Sequence, residues 1–198
     1  MKRHGRLPNL LQPGTFTEKQ LLFKFFAPIP IVSTSDKLGS RKYASHYLTE
    51  KVRIPRVVWA STTADIPKPG EVASGRYWFK SNHSSGTNMP VTLPLVHAQQ
   101  ELMKARANKW FERIHSRRLA LWWYEIFPKQ VYLEEDLSDG DGFSADDWKF
   151  FVSNGKVVIF QHDKDRHQNH IQTIFDRRGN HLNMELYYRV LCYPTFCH

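Results

Sequence analysis

Apolar and polar positions switch between a helical period and strand alternation along this chain, and the switches predict its elements. Residues 17–26 form the first helical candidate, with Thr17 placed to cap it and Glu18 beside the positive helix end. Pro8, Pro13, Pro28 and Pro30 punctuate the chain on either side. After Ser35-Asp36, the run KLGSRKYASHYLTEKV sets Leu38, Tyr43, Tyr47 and Leu48 at helical spacing, and Pro55 ends it. Residues 56–61 (RVVWAS) and 76–80 (RYWFK) read as strands, separated by a loop marked by Pro67, Pro69, Gly70 and Gly75. A polar turn, SNHSSG, follows at 81–86. A long helix is expected from about 98 to 118, with Leu102, Met103, Ala107, Trp110, Phe111 and Ile114 as its apolar stripe. Residues 130–133 (QVYL) predict another strand, and Asn154-Gly155 between WKFFV and KVVIF is a strong hairpin signal. The pattern is α+β, with antiparallel strands toward the C-terminal end.

Composition narrows the picture. At 198 residues, 41% of them apolar and 24% charged, the chain can bury a core and is not a disordered polymer. The formal net charge of +9 favours polyanionic partners: nucleotides, acidic polysaccharides, nucleic acid or an anionic membrane face. Two cysteines, Cys192 and Cys197, cannot staple a domain from its last seven residues, so a reduced, cytoplasmic setting is expected. The opening MKRHGRLPNLLQPG lacks the apolar region of a secretory signal, and LLFKFFAPIPIV is too short and too broken to span a bilayer.

Five segments carry candidate chemistry. In Tyr77-Trp78-Phe79-Lys80-Ser81-Asn82-His83-Ser84-Ser85-Gly86, a strand delivers a lysine into a loop of hydroxyls and backbone N–H groups, an arrangement that suits a triphosphate. The same pattern is that of a strand ending in an ordinary turn. In Val131-Tyr132-Leu133-Glu134-Glu135-Asp136-Leu137, adjacent carboxylates at a strand end can meet an adenine edge or a ribose, or form a solvated acidic turn. Strand alternation puts Asp147, Lys149 and Phe151 on one face, where acid and ammonium can hold a ribose and a phosphate or make a cross-strand ion pair. His162, Asp163, Asp165, His167 and His170 have a spacing that invites a metal, but their segment is as polar as any solvated loop. The basic helix face from Lys104 to Arg118 could meet nucleic acid or an acidic sugar polymer; no nucleic-acid motif accompanies it, so nucleic acid ranks last as a partner.

In order, SDKLGSRKY, RIPRVVWAS, YWFKSNHSSGTN, PKQVYLEEDL and DDWKFFVSNGKVVIF resemble the ATP-grasp ligases, and most of all their TupA-like branch of teichuronopeptide and surface-polysaccharide biosynthesis. The opening LPNLLQPGTFTEKQLLFKF resembles that branch too, and the likeness runs from about residue 7 to 176. It implies ATP held between two α+β subdomains, Mg²⁺, and a carboxylate–amine ligation through an acyl phosphate. It implies that Lys37 is the first phosphate-contacting lysine and Lys80 the second, with Asn82, His83, Ser84, Ser85 and Gly86 as the loop over the β- and γ-phosphates. Glu134 and Glu135 would fall at the adenine hinge and Leu137 in the adenine pocket. Asp147 would meet the ribose, Lys149 the phosphates, and Arg166 the transferred phosphoryl group or the acceptor. The acceptor would be an acidic glycan or another carboxylate, joined to an amine donor.

One departure shapes the expectation. The family's Mg²⁺ carboxylates follow the Asp165-Arg166 region, whereas here Glu185 is the only acid after Asp176. The chain is therefore expected to divide into an extension (1–35), an N-terminal subdomain (36–132), the start of an incomplete C-terminal subdomain (133–178) and an atypical tail (179–198). A weakened ligase, or a nucleotide-binding scaffold without turnover, is the corresponding functional expectation.

Overall fold

A computed structural model of the chain describes residues 7–28, 34–48, 52–114, 121–138, 146–164 and 169–184. Among them are three α-helices and two antiparallel four-stranded sheets, a mixed α+β architecture. None of these helices is long and apolar enough to cross a membrane. The chain separates into two compact units, Met1–Asp136 and Leu137–His198.

The first helix of the first unit, α1 (Phe16–Phe26), starts one residue earlier than the pattern predicts, because Thr15 and not Thr17 is its cap. The Thr15 hydroxyl accepts from the Glu18 N–H at 3.2 Å, and the buried Glu18 carboxylate accepts in return from Thr15 N at 2.9 Å. That reciprocal pair satisfies two helix-end donors and outcompetes Thr17. Helix α2 (Lys37–Ser45) is capped by Asp36, whose carboxylate accepts from Leu38 N at 3.0 Å. It ends well before Pro55, with Tyr43, Tyr47 and Leu48 exposed: no core covers the stripe that was to extend it.

Four strands, β1 (Val57–Ser61), β2 (Gly75–Ser81), β3 (Asn88–Leu93) and β4 (Val131–Glu135), form the first sheet in the order β1-β4-β2-β3. Strand β3 has no counterpart in the sequence reading. Pro90 removes a ladder donor, and β3 tolerates it because it lies at the sheet edge. Helix α3 (His97–Glu112) packs on one face of this sheet through Met103, Ala107 and Trp110, spaced i, i+4, i+7. Phe79, Val91, Leu93, Val131 and Leu133 meet them from the strands, and Phe79 stacks on Trp110 at 5.1 Å. Leu102 and Ile114, expected in that stripe, are about half exposed (50% and 45%): Leu102 falls about 100° off the face that those three positions define, and Ile114 lies beyond the end of the helix. The helix also stops at Glu112 and not near 118: Arg113 is already extended, with φ −69° and ψ 124°.

Strand alternation sends the residues between those core positions to the opposite face. Lys80 lies opposite Tyr132 and Trp78 opposite Glu134, so these four share the side away from α3.

The second unit holds β5 (Asp147–Ser153), β6 (Lys156–Lys164), β7 (Ile171–Asp176) and β8 (His181–Leu182), a meander in that order. Asn154 and Gly155 turn the β5–β6 hairpin with positive φ at both positions (49° and 71°), the geometry that favours this dipeptide. One face is aromatic: Trp148 stacks on His162 at 4.2 Å and Phe160 on Phe175 at 5.1 Å. The other carries Asp147, Lys149, Gln161, Asp163 and Gln172.

Candidate functional site

The site in the first unit is assembled from the N-terminus of α2, the end of β2 and the end of β4. Asp36 and Lys37 stand next to each other because the helix cap and first turn must be there. The Lys37 ammonium donates to the Ser81 carbonyl at 3.0 Å and to the Ser84 carbonyl, so it sits in the hollow of the 81–86 loop. Burial, reinforced by the nearby Lys80 ammonium, pushes Lys37 down from 10.5 to about 8; Asp36 and Glu134 pull the other way. Gly39 gives the Asp36 carboxylate room: a Cβ there would lie 2.7 Å from its Oδ2.

Glu134 is the counter-ion of this cluster. Lys80 donates to its Oε1 and Arg41 to its Oε2 at 2.6 Å, and the Glu134 side chain is 9% exposed. Arg41 also donates to the Pro55 carbonyl. Three cations, Lys37, Lys80 and Arg41, therefore surround Glu134 and Asp36, leaving an excess of positive charge. The buried Tyr132 lies beside them, and loss of solvent pushes its hydroxyl above the usual tyrosine range.

Most of the loop's side chains are occupied in shaping it. Asn82, buried, donates through Nδ2 to Asp36 Oδ1 and to the Pro128 carbonyl, both at 3.0 Å, while its Oδ1 accepts from Gln130 N at 2.8 Å. His83 is buried with Nε2 2.8 Å from the Trp110 carbonyl and Nδ1 3.1 Å from Asn82 Oδ1. Burial holds its pKa below the ordinary histidine value, with Lys129 and Lys37 adding to the effect against the pull of the Trp110 carbonyl. The Ser81, Ser84 and Thr87 hydroxyls hydrogen-bond one another at 2.7–3.2 Å in full burial. Ser85 and Gly86 are the exposed part, and Gly86 has φ +70°, which a side chain would strain. Glu135 accepts from Arg56 N at 2.7 Å and pairs with Arg53 at 3.1 Å, and the first of these contacts chiefly lowers its pKa.

In the second unit, Leu137 is 37% exposed. Asp147 and Lys149 share the polar face of the sheet, and the Lys149 ammonium is paired with Asp163. Asp163 has no solvent exposure; it also accepts from Gln161 at 2.8 and 2.9 Å and Gln172 at 3.1 Å, and faces His170 at 3.1 Å. Burial by itself would raise this carboxyl, but the donors, led by Lys149, prevail and hold it well below the usual carboxylate range. Among the described residues no group of three His, Cys, Asp or Glu has the arrangement of a metal site. Arg166, Asp165 and His167 lie outside the described residues.

Lys37, Lys80, Asn82, His83, Ser84 and Glu134 thus meet within the first unit, while Asp147 and Lys149 share one sheet face within the second. The sequence reading missed Arg41, and it set Asp163 in a candidate metal cluster and not as the partner of Lys149. Arg41 had a signal, since it stands four residues after Lys37 and so on the same helix face. No protein-family model matches this chain, and neither any curated protein nor any solved structure does.

Proposed function

We propose that this protein binds ATP in the manner of the ATP-grasp ligases and descends from a carboxylate–amine ligase acting on an acidic glycan or a related carboxylate acceptor. One observation carries the reading: the two lysines expected at the phosphates come from separate elements to one cluster, Lys37 in the hollow of the 81–86 loop and Lys80 on Glu134, with Arg41 as a third cation. A triphosphate would exchange places with Glu134 as the partner of these cations, and the exposed Ser85-Gly86 backbone would supply N–H donors.

In the ligation, a carboxylate oxygen attacks the γ-phosphorus, the bond from γ-phosphorus to the β–γ bridging oxygen breaks, and ADP leaves. The lone pair of an amine then attacks the acyl carbon, phosphate departs with the acyl C–O bonding pair, and the amine nitrogen releases its proton. The chain's contribution is positioning and charge neutralisation between two anions. The described residues offer Mg²⁺ no ready protein seat: Asp163, the most deeply buried carboxylate, already accepts from several donors. Mg²⁺ would be carried by the nucleotide phosphates.

A second reading, a nucleotide-binding scaffold without turnover, is favoured by the ion pairs that already occupy Lys80 and Lys149. A thermal-shift titration with ATP and Mg²⁺ tests the shared premise. Saturation at about 100 times the dissociation constant adds roughly 2.7 kcal/mol of stability, and Lys80→Ala should abolish the gain. No shift in a folded sample refutes nucleotide binding; a shift without amine-dependent phosphate release selects the scaffold.

A further inference from the structure

A cleft in the first unit lies apart from the Lys37, Lys80 and Glu134 cluster, between the end of α3 and the segment leading into β4. We infer that it is a binding site for a small monocarboxylate with a flat apolar body. The cavity measures about 290 Å³, at the lower bound of ordinary small-molecule sites (roughly 300 Å³), which suits a single ring. Its apolar walls are Ile114, just beyond α3, and Tyr124 and Phe127, whose rings lie 6.3 Å apart and tilted by 54°.

The polar groups define the head that such a ring must carry. Arg113 and Lys129 line the cleft, and among the described residues the hydrogen-bond partners of both are carbonyl oxygens. Arg113 Nη1 donates to the Ser85 carbonyl at 3.2 Å, leaving the rest of a five-donor guanidinium for a bidentate contact. Lys129 donates to the Phe111 carbonyl, and to that of Arg113 at 3.3 Å. Among the described residues Glu125 is the single acid of the lining, and burial lowers the pKa of His83, which favours its neutral form. The described lining residues are therefore net positive by one charge. The same carbonyls also mark the negative end of α3, which opposes a dianion. One negative charge is the best match, which favours a carboxylate over a dianionic phosphate, and the fork of Arg113 can hold that carboxylate bidentately. This site shares no cation with the proposed nucleotide cluster and does not rest on that reading.

The test is a calorimetric titration of the full chain, without nucleotide, with benzoate, its neutral isostere benzamide, and inorganic phosphate. Benzoate should bind and benzamide should bind at least tenfold more weakly; phosphate should not displace benzoate. Arg113→Gln should weaken benzoate roughly ten- to hundredfold, the scale of a lost charge-assisted hydrogen bond. Arg113→Lys, which keeps the charge and loses the fork, should weaken it about tenfold and serves if the glutamine variant does not fold. Equal binding of benzoate and benzamide, phosphate competing as well as benzoate (an adventitious anion only), or wild-type benzoate affinity in a folded Arg113 variant would each overturn the assignment.

Discussion

Glu134→Gln separates two roles that the same carboxylate can play. The glutamine keeps the shape and one acceptor oxygen but removes the charge that faces Lys80 and Arg41. Those side chains are 24% and 18% exposed, against 9% for Glu134. Removing one partner of a fully buried ion pair costs about 3–5 kcal/mol. Partial exposure of both cations screens part of that, so about 2–3 kcal/mol is expected. For a unit of this size the loss corresponds to a melting point lower by about 6–12 °C. The same change should have the opposite effect on polyanion binding, because the cluster loses a competing negative charge. A unit charge about 4 Å away contributes on the order of 4 kcal/mol at an effective dielectric of 20. Even after screening by salt, ATP affinity should rise tenfold or more. Differential scanning fluorimetry with and without ATP, at low and high salt, reads both signs. A wild-type melting point, or a smaller ATP-induced shift in the variant, would refute the account of Glu134 as counter-ion and point to direct contact between this carboxylate and the ligand.

Two further outcomes follow from the ionisable groups. Lys37 falls to about 8 in the folded chain from 10.5; between those values the unfolded chain binds more protons, so stability rises with pH across that window. Lys37→Met should remove that rise in denaturation curves measured from pH 7.5 to 10. Asp163 has its carboxyl held well below the usual range, so its contribution is present above the unfolded value of 3.8 and is lost only in strong acid. Asp163→Asn, which leaves Lys149 facing a neutral group, should destabilise the second unit by about 3 kcal/mol at neutral pH. Hydrogen exchange at β6 and β7 amides should quicken accordingly, and unchanged protection would show that Asp163 is not what holds those strands.

How much of this was legible in the sequence depends on which physical constraint acts locally. The Asn154-Gly155 hairpin was legible because two consecutive left-handed positions select that dipeptide. The site around Asp163 was not, although both strands were. Counting back from the turn pairs Lys149 with Phe160, but a register irregularity between Phe151 and Val152 moves Lys149 opposite Gln161 and turns it to the face of Asp163. Nothing in the residue types announces that extra residue. The meeting of Lys37 with Lys80 across 43 positions was expected only through a family resemblance; periodicity shows that each is on an element, not that the elements meet. Glu134 illustrates the remaining gap. Its position at a strand end was legible, but its pairing with Arg41 depends on where α2 lies against the sheet, which no local pattern encodes.

The side-chain amide of Asn82 ties the helix cap at Asp36, the Pro128 carbonyl and the Gln130 amide into one joint. A joint that uses both donors and the acceptor of a single amide leaves the loop little freedom to open and close. Ligands would therefore meet a preformed surface, and association should be a single second-order step, in the ordinary range of about 10⁵–10⁷ M⁻¹s⁻¹, with no slow phase that becomes independent of ligand concentration. Aspartate at this position would set a second carboxylate against Asp36, and glutamine would be one methylene too long. A mutational scan should thus find position 82 far less tolerant than the exposed Ser85, although Ser85 is the nearer of the two to solvent.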